Sequence, residues 1–117
     1  MQQIQRRTRA KICGITRAQD IQSVVEAGAD AIGFVFFPPS PRHVSIEQAQ
    51  SLASLVPAYV QLVGLFVNAS AEEIQTVLDS VPLDVFNYMV MKHLNNANKL
   101  RCIANAVGTR LFKLNLI

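Results

Sequence analysis

Several features typical of membrane, secreted and metal-binding proteins are missing from this sequence. No apolar run is long enough to cross a membrane, and the basic residues 1–11 are not followed by the apolar core of a signal peptide. The two cysteines, Cys13 and Cys102, lie too far apart in the chain to suggest a disulfide framework or a metal site. These absences predict a protein of the reducing cytoplasm with no membrane partner and no bound metal.

Acidic residues are missing from the C-terminal part of the chain. All eight Asp and Glu residues lie at or before Asp84, whereas five of the eleven Lys and Arg residues follow it. The formal net charge of +3 therefore belongs to the tail, and no RNA- or DNA-binding motif accompanies it. We expect no nucleic-acid partner, and we place a change in composition near residue 86.

Four short apolar runs alternate with three capping boxes, in which Ser or Thr and a following Gln or Glu satisfy the first backbone donors of a helix. The boxes lie at residues 16–19, 45–48 and 70–73, and the runs lie at residues 10–14, 31–37, 60–67 and 83–86. This order predicts one βαβαβαβ unit with a parallel sheet. The regular repeat, without a Gly-x-Gly-x-x-Gly loop after the first strand, favours a (β/α)8 barrel over a doubly wound sheet.

Cys13 ends the first apolar run, Gly14 follows it, and Thr16 is predicted to begin a helix. Backbone N–H groups and the dipole of a helix N-terminus favour a thiolate, so this position suits a catalytic base or nucleophile. The alternative is that Cys13 is a small buried apolar residue, as most free cysteines are.

Four segments, taken in order, resemble the signatures of the phosphoribosylanthranilate isomerase family. They are KICGIT at 11–16, GADAIGFVF at 28–36, SPR at 40–42 and GLFVN at 64–68. The resemblance covers about residues 8–86 and implies the N-terminal half of a (β/α)8 TIM barrel. It also implies an isomerase of tryptophan biosynthesis that rearranges N-(5-phosphoribosyl)anthranilate, a small phosphosugar–anthranilate substrate, and uses no cofactor.

The resemblance assigns roles to two residues. It makes Cys13 the base that removes a proton from the sugar, and it makes Arg42 the group that binds the anthranilate carboxylate through two parallel hydrogen bonds. An exposed loop charge is the alternative for Arg42, and a turn-forming role is the alternative to a site role for Asn68. We expect His43 to be a solvent-exposed loop residue, and we assign no role to His93.

The chain departs from the family pattern after Phe86. The family's general acid is an aspartate on a later strand, and its phosphate site lies in the last loops of the barrel. Asp84 does not replace that acid, because it begins its strand and so faces the opposite end of the barrel. The resemblance therefore predicts that this chain lacks the general acid and the phosphate site.

Our hypothesis for this departure is a single-base deletion near codon 86, in the gene or in its recorded sequence, that shifts the reading frame. The family has Gln-Leu-His-Gly-Asp-Glu where this chain has residues 87–92. Read one base earlier, the codons for these residues force the Leu, Gly and Glu and permit the Gln, His and Asp. Residues 107–116 likewise permit a sequence resembling the family's next strand. We therefore interpret residues 1–86 as a half TIM barrel, and residues 87–117 as an irregular or helical tail that is not a separate domain.

An open half-barrel has physical consequences. Its outer strands would expose unpaired backbone groups, and the surface that normally meets the other half would face water. We expect an inactive chain that is weakly stable unless the tail covers the open edge. The alternative function is a non-catalytic half-barrel fragment that self-associates through its sheet edges or aggregates.

Overall fold

The computed structural model describes residues 7–89 and the backbone of residues 110–114. The strands are β1 (Lys11–Cys13), β2 (Ala31–Val35), β3 (Gln61–Val67), β4 (Val85–Met89) and β5 (Arg110–Leu114). The helices are α1 (Ala18–Glu26), α2 (Ile46–Ala53) and α3 (Ala71–Ser80). All neighbouring strands pair in parallel, in the order β1-β2-β3-β4-β5. The βαβαβαβ prediction is therefore confirmed.

The tail contributes a strand, which corrects the prediction of an irregular or helical tail. The backbone of β5 pairs with the whole of β4, from Val85 beside Arg110 to Met89 beside Leu114. An unpaired strand edge presents a row of free N–H and C=O groups, and a chain in extended conformation satisfies them. In this structure β4 is consequently an inner strand, and β1 and β5 are the edges of the described sheet.

All three helices cover the same face of the sheet. Their buried residues Ile21, Ala49 and Ile74 belong to one cluster with residues that alternate along the strands. Those strand residues include Ile32, Phe34, Leu62, Phe66, Phe86 and Tyr88. A doubly wound sheet carries helices on both faces, whereas a barrel carries them only outside. The one-sided cover thus supports the barrel architecture.

The opposite face of the sheet is also buried over much of its area, which corrects the expectation that it would face water. Val63 and Val85 are register partners, and Ala31, two residues before Gly33 on β2, joins them in a second cluster. They are 8%, 5% and 6% exposed, and Asn87 on the same face is 7% exposed. This second face, which we call the inner face, also carries Cys13, since Cys13 is the register partner of Gly33.

Two of the three predicted capping boxes form, and the first does not. Ser45 and Ser70 each accept a hydrogen bond from the backbone N–H three residues later, and each returns its own N–H to that residue's side chain. Helix α1 begins one residue later than the box at Thr16 requires, with Arg17 as N-cap and no side-chain cap bond. Arg17 instead holds the carboxylate of Asp20 through two hydrogen bonds of 2.9 Å.

None of the helices within residues 7–89 has the length and apolar character that a membrane crossing requires.

Candidate functional site

Cys13 is the last residue of β1, and its half-buried side chain lies on the inner face beside Gly33. A β-carbon built onto Gly33 would lie only 3.0 Å from Cys13 Sγ. The N–H groups of Gly14 and Ile15 both donate to the carbonyl oxygen of Gly33, at 2.9 and 3.3 Å. These bonds fix the backbone that leaves the strand directly after the thiol.

Arg42 reaches the same end of the sheet from the loop between β2 and α2. Its side chain lies across the backbone of Gly14, since a β-carbon built there would be 2.5 Å from Arg42 Cδ and 3.0 Å from one terminal nitrogen. The structure thus brings the two predicted site residues together, with Arg42 packed on the residue that follows Cys13. Their chemical roles remain predictions.

The loop that carries Arg42 is held by hydrogen bonds from the N–H groups of Arg42 and Val44. The N–H of Arg42 donates to Ser40 Oγ at 3.2 Å, and the N–H of Val44 donates to the carbonyl of Val35 at 3.0 Å. His43 pairs with Val35 in a parallel bridge and is half-buried, so the prediction of a solvent-exposed His43 is wrong. The bridge extends the β2 ladder and restricts where the Arg42 backbone can lie.

The guanidinium of Arg42 is exposed, and no ion pair involves it among the residues that the structure describes. A planar guanidinium presents paired N–H donors that match a carboxylate or a phosphate. The site can therefore take an anionic group at Arg42 while an adjacent part of the same molecule approaches the thiol of Cys13.

Asn68 and Asp84 lie where the sequence suggested. Asn68 follows β3 in the left-handed region, at φ 51°, and its N–H donates to the carbonyl of Met89 at 3.0 Å. Asparagine tolerates this conformation better than most residues, which fits the turn-forming role. Asp84 precedes β4 at the opposite end of the sheet, where its carboxylate accepts a hydrogen bond from the Leu62 N–H at 2.8 Å.

Asn87 is the polar residue that sequence reasoning missed. It is the register partner of Leu65 and lies on the inner face, two residues beyond Val85. Val85 is itself aligned with Gly33 through β3. The alternation of Val85, Asn87 and Met89 along β4 was the available signal, because every second residue of a strand shares a face. The sequence interpretation instead assigned Asn87 to the tail, as its first residue.

His93 and Cys102 lie outside the described residues. Within the parts of the chain that the structure describes, no three His, Cys, Asp or Glu side chains are grouped so that they could hold a metal ion.

The comparison with protein families gives a match over most of the described chain. A family model described as N-(5'phosphoribosyl)anthranilate (PRA) isomerase matches residues 10–88, so the match ends two residues beyond the boundary predicted at residue 86.

Curated relatives match over a similar length of the chain. The N-(5'-phosphoribosyl)anthranilate isomerase of Acinetobacter calcoaceticus is 75% identical over 79 residues, which are 68% of this chain and 37% of that protein. The enzyme of the same name from Pseudomonas fluorescens is 56% identical over 80 residues, which are 68% of this chain and 39% of that protein. The chain therefore spans less than half of the length of these relatives.

Solved structures match over more of the chain. The phosphoribosyl anthranilate isomerase of Thermotoga maritima superposes with a TM-score of 0.79 at 36% identity, covering 92% of this chain and 50% of that chain. A second structure of such an isomerase, in complex with reduced 1-(o-carboxyphenylamino)-1-deoxyribulose 5-phosphate, gives the same TM-score and identity. It covers 92% of this chain and 53% of that chain. The backbone thus follows about half of a complete barrel.

Proposed function

Because this chain belongs to the N-(5'-phosphoribosyl)anthranilate isomerase family, we propose that residues 7–89 form the half of that isomerase which holds its base and its anthranilate site. The reaction is an Amadori rearrangement in tryptophan biosynthesis, and it converts an aldose-type sugar attached to anthranilate into a ketose-type one. A biosynthetic enzyme with two isolated cysteines suits the reducing cytoplasm.

The rearrangement needs an acid that protonates the sugar ring oxygen and a base that removes the proton from C2 of the sugar. We assign the base to the thiolate of Cys13 and the binding of the anthranilate carboxylate to Arg42. The packing of Arg42 on Gly14, the neighbour of Cys13, is the observation that carries this proposal. A carboxylate held by Arg42 would place the rest of the substrate over the inner face, where Cys13 lies.

The same reasoning predicts that the chain does not complete the reaction. No Asp or Glu follows Asp84 in the sequence, and Asp84 is engaged with Leu62 at the far end of the sheet. The residues that carry the half-site thus lack a carboxylic acid from a later strand and the loops that bind phosphate in this fold. We propose a protein that binds the anthranilate part of the substrate without turning it over.

The abrupt end of the family match supports a shifted reading frame. Identity with the Acinetobacter relative is 75% over 79 residues, yet the match covers only 68% of this chain. A single-base deletion near codon 86 would leave residues 1–86 as a half-barrel and make residues 87–117 an unselected tail. The nucleotide sequence of codons 80–95 tests this directly. An intact frame, with codons unrelated to the family beyond residue 86, would contradict it.

A non-catalytic fragment that self-associates is the second candidate function. The edges β1 and β5 favour it, because each leaves one row of backbone groups unpaired within the described sheet. Two copies would contribute two sets of five strands, whereas the barrel closes with about eight strands. Association through these edges would therefore give open, concentration-dependent assemblies rather than a closed dimer. Sedimentation velocity at several concentrations distinguishes a monomer from such assemblies.

Ligand binding and turnover are best tested separately. The probe is reduced 1-(o-carboxyphenylamino)-1-deoxyribulose 5-phosphate, whose anthranilate fluorescence is easily followed because the protein has no Trp. We expect Arg42→Lys to weaken binding about tenfold or more, since it removes a bidentate charge-assisted contact. The matched control is Arg7→Lys, an exposed arginine paired with Asp30 before β1, and it should leave binding unchanged.

Turnover is tested by complementation of a tryptophan auxotroph that lacks the isomerase. We expect no growth with this chain, and growth would refute the proposed inactivity. Equal probe affinities for Arg42→Lys and Arg7→Lys would refute the assignment of Arg42.

A further inference from the structure

The inner face has no side chain at the position opposite Cys13. A β-carbon on Gly33 would lie 3.0, 3.2 and 3.3 Å from the Sγ, Cα and Cβ of Cys13, closer than ordinary van der Waals contact. Among the glycines of the described chain, Gly14 and Gly28 adopt the left-handed conformation, whereas Gly33 does not. Glycine weakens the interior of a strand, so its presence in β2 requires another reason. The close approach of Cys13, through its thiol and through its α- and β-carbons, supplies that reason.

Gly14 provides the corresponding space for Arg42. Its φ of 87° already disfavours any other residue, and a β-carbon there would overlap the Arg42 stem, at 2.5 Å from Cδ and 3.4 Å from Nε. The peptide bond between Cys13 and Gly14 joins the two positions, and the 2.9 Å hydrogen bond from the Gly14 N–H to the Gly33 carbonyl connects them across the strands. The two glycines therefore act on one rigid piece of backbone.

We propose that Gly14 and Gly33 are positioning residues, which set Arg42 and the Cys13 thiol at the same end of the sheet by leaving room for both side chains. The chemical roles of the two groups rest on the proposed function, whereas their positions do not. A methyl group on Gly33 displaces the thiol from the inner face. A methyl group on Gly14 displaces Arg42 from its position across the Gly14 backbone.

Gly28 offers a matched control for Gly14. It has a φ of 91°, and a β-carbon built on it would meet no atom within 4 Å. Gly14→Ala and Gly28→Ala therefore carry the same backbone strain, and only Gly14→Ala crowds Arg42. The exposed Arg42 stem can move aside, so we expect both variants to lower the unfolding midpoint equally.

The first experiment needs no ligand. NMR contacts between the Gly14 α-protons and the Arg42 δ-protons should be present in the parent chain and in Gly28→Ala. In Gly14→Ala the Arg42 side-chain signals should shift to the values of a freely rotating arginine. Retention of the parent Arg42 signals in Gly14→Ala, or their equal loss in both variants, would overturn the proposal.

The second experiment follows the thiol. In a Cys102→Ser background, alkylation by iodoacetamide reports Cys13 alone, and Gly33→Ala should raise its rate several-fold because the thiol is pushed toward solvent. An unchanged rate would overturn the role of Gly33. If Gly33→Ala folds poorly, Cys13→Ala should partly restore its stability, and a cost that is independent of Cys13 would also overturn the role.

The probe separates this inference from the proposed function. Gly14→Ala should bind the reduced substrate analogue about tenfold more weakly than Gly28→Ala does. If Arg42→Lys leaves probe binding unchanged while Gly14→Ala still releases Arg42 by NMR, the proposed function fails and the positioning role stands. If Arg42→Lys weakens binding but Gly14→Ala behaves as Gly28→Ala does, the positioning role fails alone.

Discussion

The carboxylate of Asp84 holds the backbone of Leu62 at the amino end of the sheet. Asp84 Oδ2 accepts the Leu62 N–H at 2.8 Å, and the Asp84 N–H donates to the Leu62 carbonyl at 2.9 Å. Both polar groups of Leu62 are therefore paired where β3 begins, and β4 enters the sheet in register. The acidic group that precedes β4 serves the fold rather than the chemistry.

Asp84→Ala should lower the free energy of unfolding by about 1–3 kcal/mol, because it leaves the Leu62 N–H without its acceptor. Asp84→Asn keeps an acceptor oxygen and should cost less. Urea unfolding measures both. Probe binding should not change in either variant, since Asp84 lies at the opposite end of the sheet from Arg42, and a loss of affinity in Asp84→Asn would contradict this separation.

The helix caps give a prediction with an internal control. Ser45→Ala and Ser70→Ala should each lower the free energy of unfolding by about 1 kcal/mol, since each removes a side-chain acceptor from a formed capping box. Thr16→Ala should cost clearly less, because α1 begins at Ala18 with no side-chain cap bond. Denaturant melts of the three variants test the order, and an equal cost at Thr16 would show that its box forms in solution.

Asp30 predicts part of the acid sensitivity of the fold. The hydrogen bond from the Arg7 guanidinium, followed by that from the Ala10 N–H, lowers the pKa of this carboxyl below its ordinary value. The unfolded state therefore takes up the proton first. The stabilisation is complete above the unfolded pKa of about 3.9 and is lost as the pH falls through the lower folded value.

Unfolding curves measured between neutral pH and pH 3 test this prediction. Asp30→Asn should lose stability less steeply on acidification than the parent chain does. Arg7→Gln should fall between the two, because the Ala10 N–H still binds the carboxylate. Identical pH profiles for the parent and Asp30→Asn would exclude the contribution.

Tyr88 carries a buried hydroxyl whose removal should not destabilise the protein. The residue is 3% exposed, and its hydroxyl has no hydrogen-bond partner in the part of the chain that the structure describes. Burial also raises the pKa of the phenol. Tyr88→Phe should therefore leave the free energy of unfolding unchanged or raise it by about 1 kcal/mol, since an unsatisfied polar group is removed.

The exposed Tyr59 provides the control for this change, being 80% exposed. Tyr59→Phe should have no measurable effect on urea unfolding. A clear loss of stability in Tyr88→Phe alone would mean that the hydroxyl finds a partner in solution.

The elements of residues 10–89 could be predicted because local signals agreed with one another. Capping boxes at Ser45 and Ser70 marked helices that do begin there, and continuous apolar runs marked the buried strands. The start of α1 could not be read in the same way. Arg17 takes the N-cap position and binds Asp20, a local ion pair that competes with the capping pattern.

The strand β5 could not be predicted because its formation depends on a non-local demand. Pairing with β5 satisfies the free backbone groups along the edge of β4. The sequence of the tail carries no local signal for this pairing. Asn87 was missed for a different reason: the departure from the family pattern after Phe86 assigned it to the tail, although it lies within β4.

The neighbourhood of Cys13 and Arg42 followed from a general rule, since the carboxyl ends of parallel strands and the loops after them share one edge of a sheet. Their packing did not follow from it. The contact of Arg42 with Gly14 depends on how Ser40 and Val35 hold the intervening loop. Hydrogen bonds of this kind join residues that no periodic pattern connects.

The pairing of β4 with β5 uses main-chain groups that almost every amino acid possesses. Such an edge can pair with a segment of almost any sequence, provided that the segment can adopt an extended conformation. In the evolution of barrel proteins, an unpaired sheet edge is thus a place where a segment of unrelated sequence can be incorporated and later improved by selection.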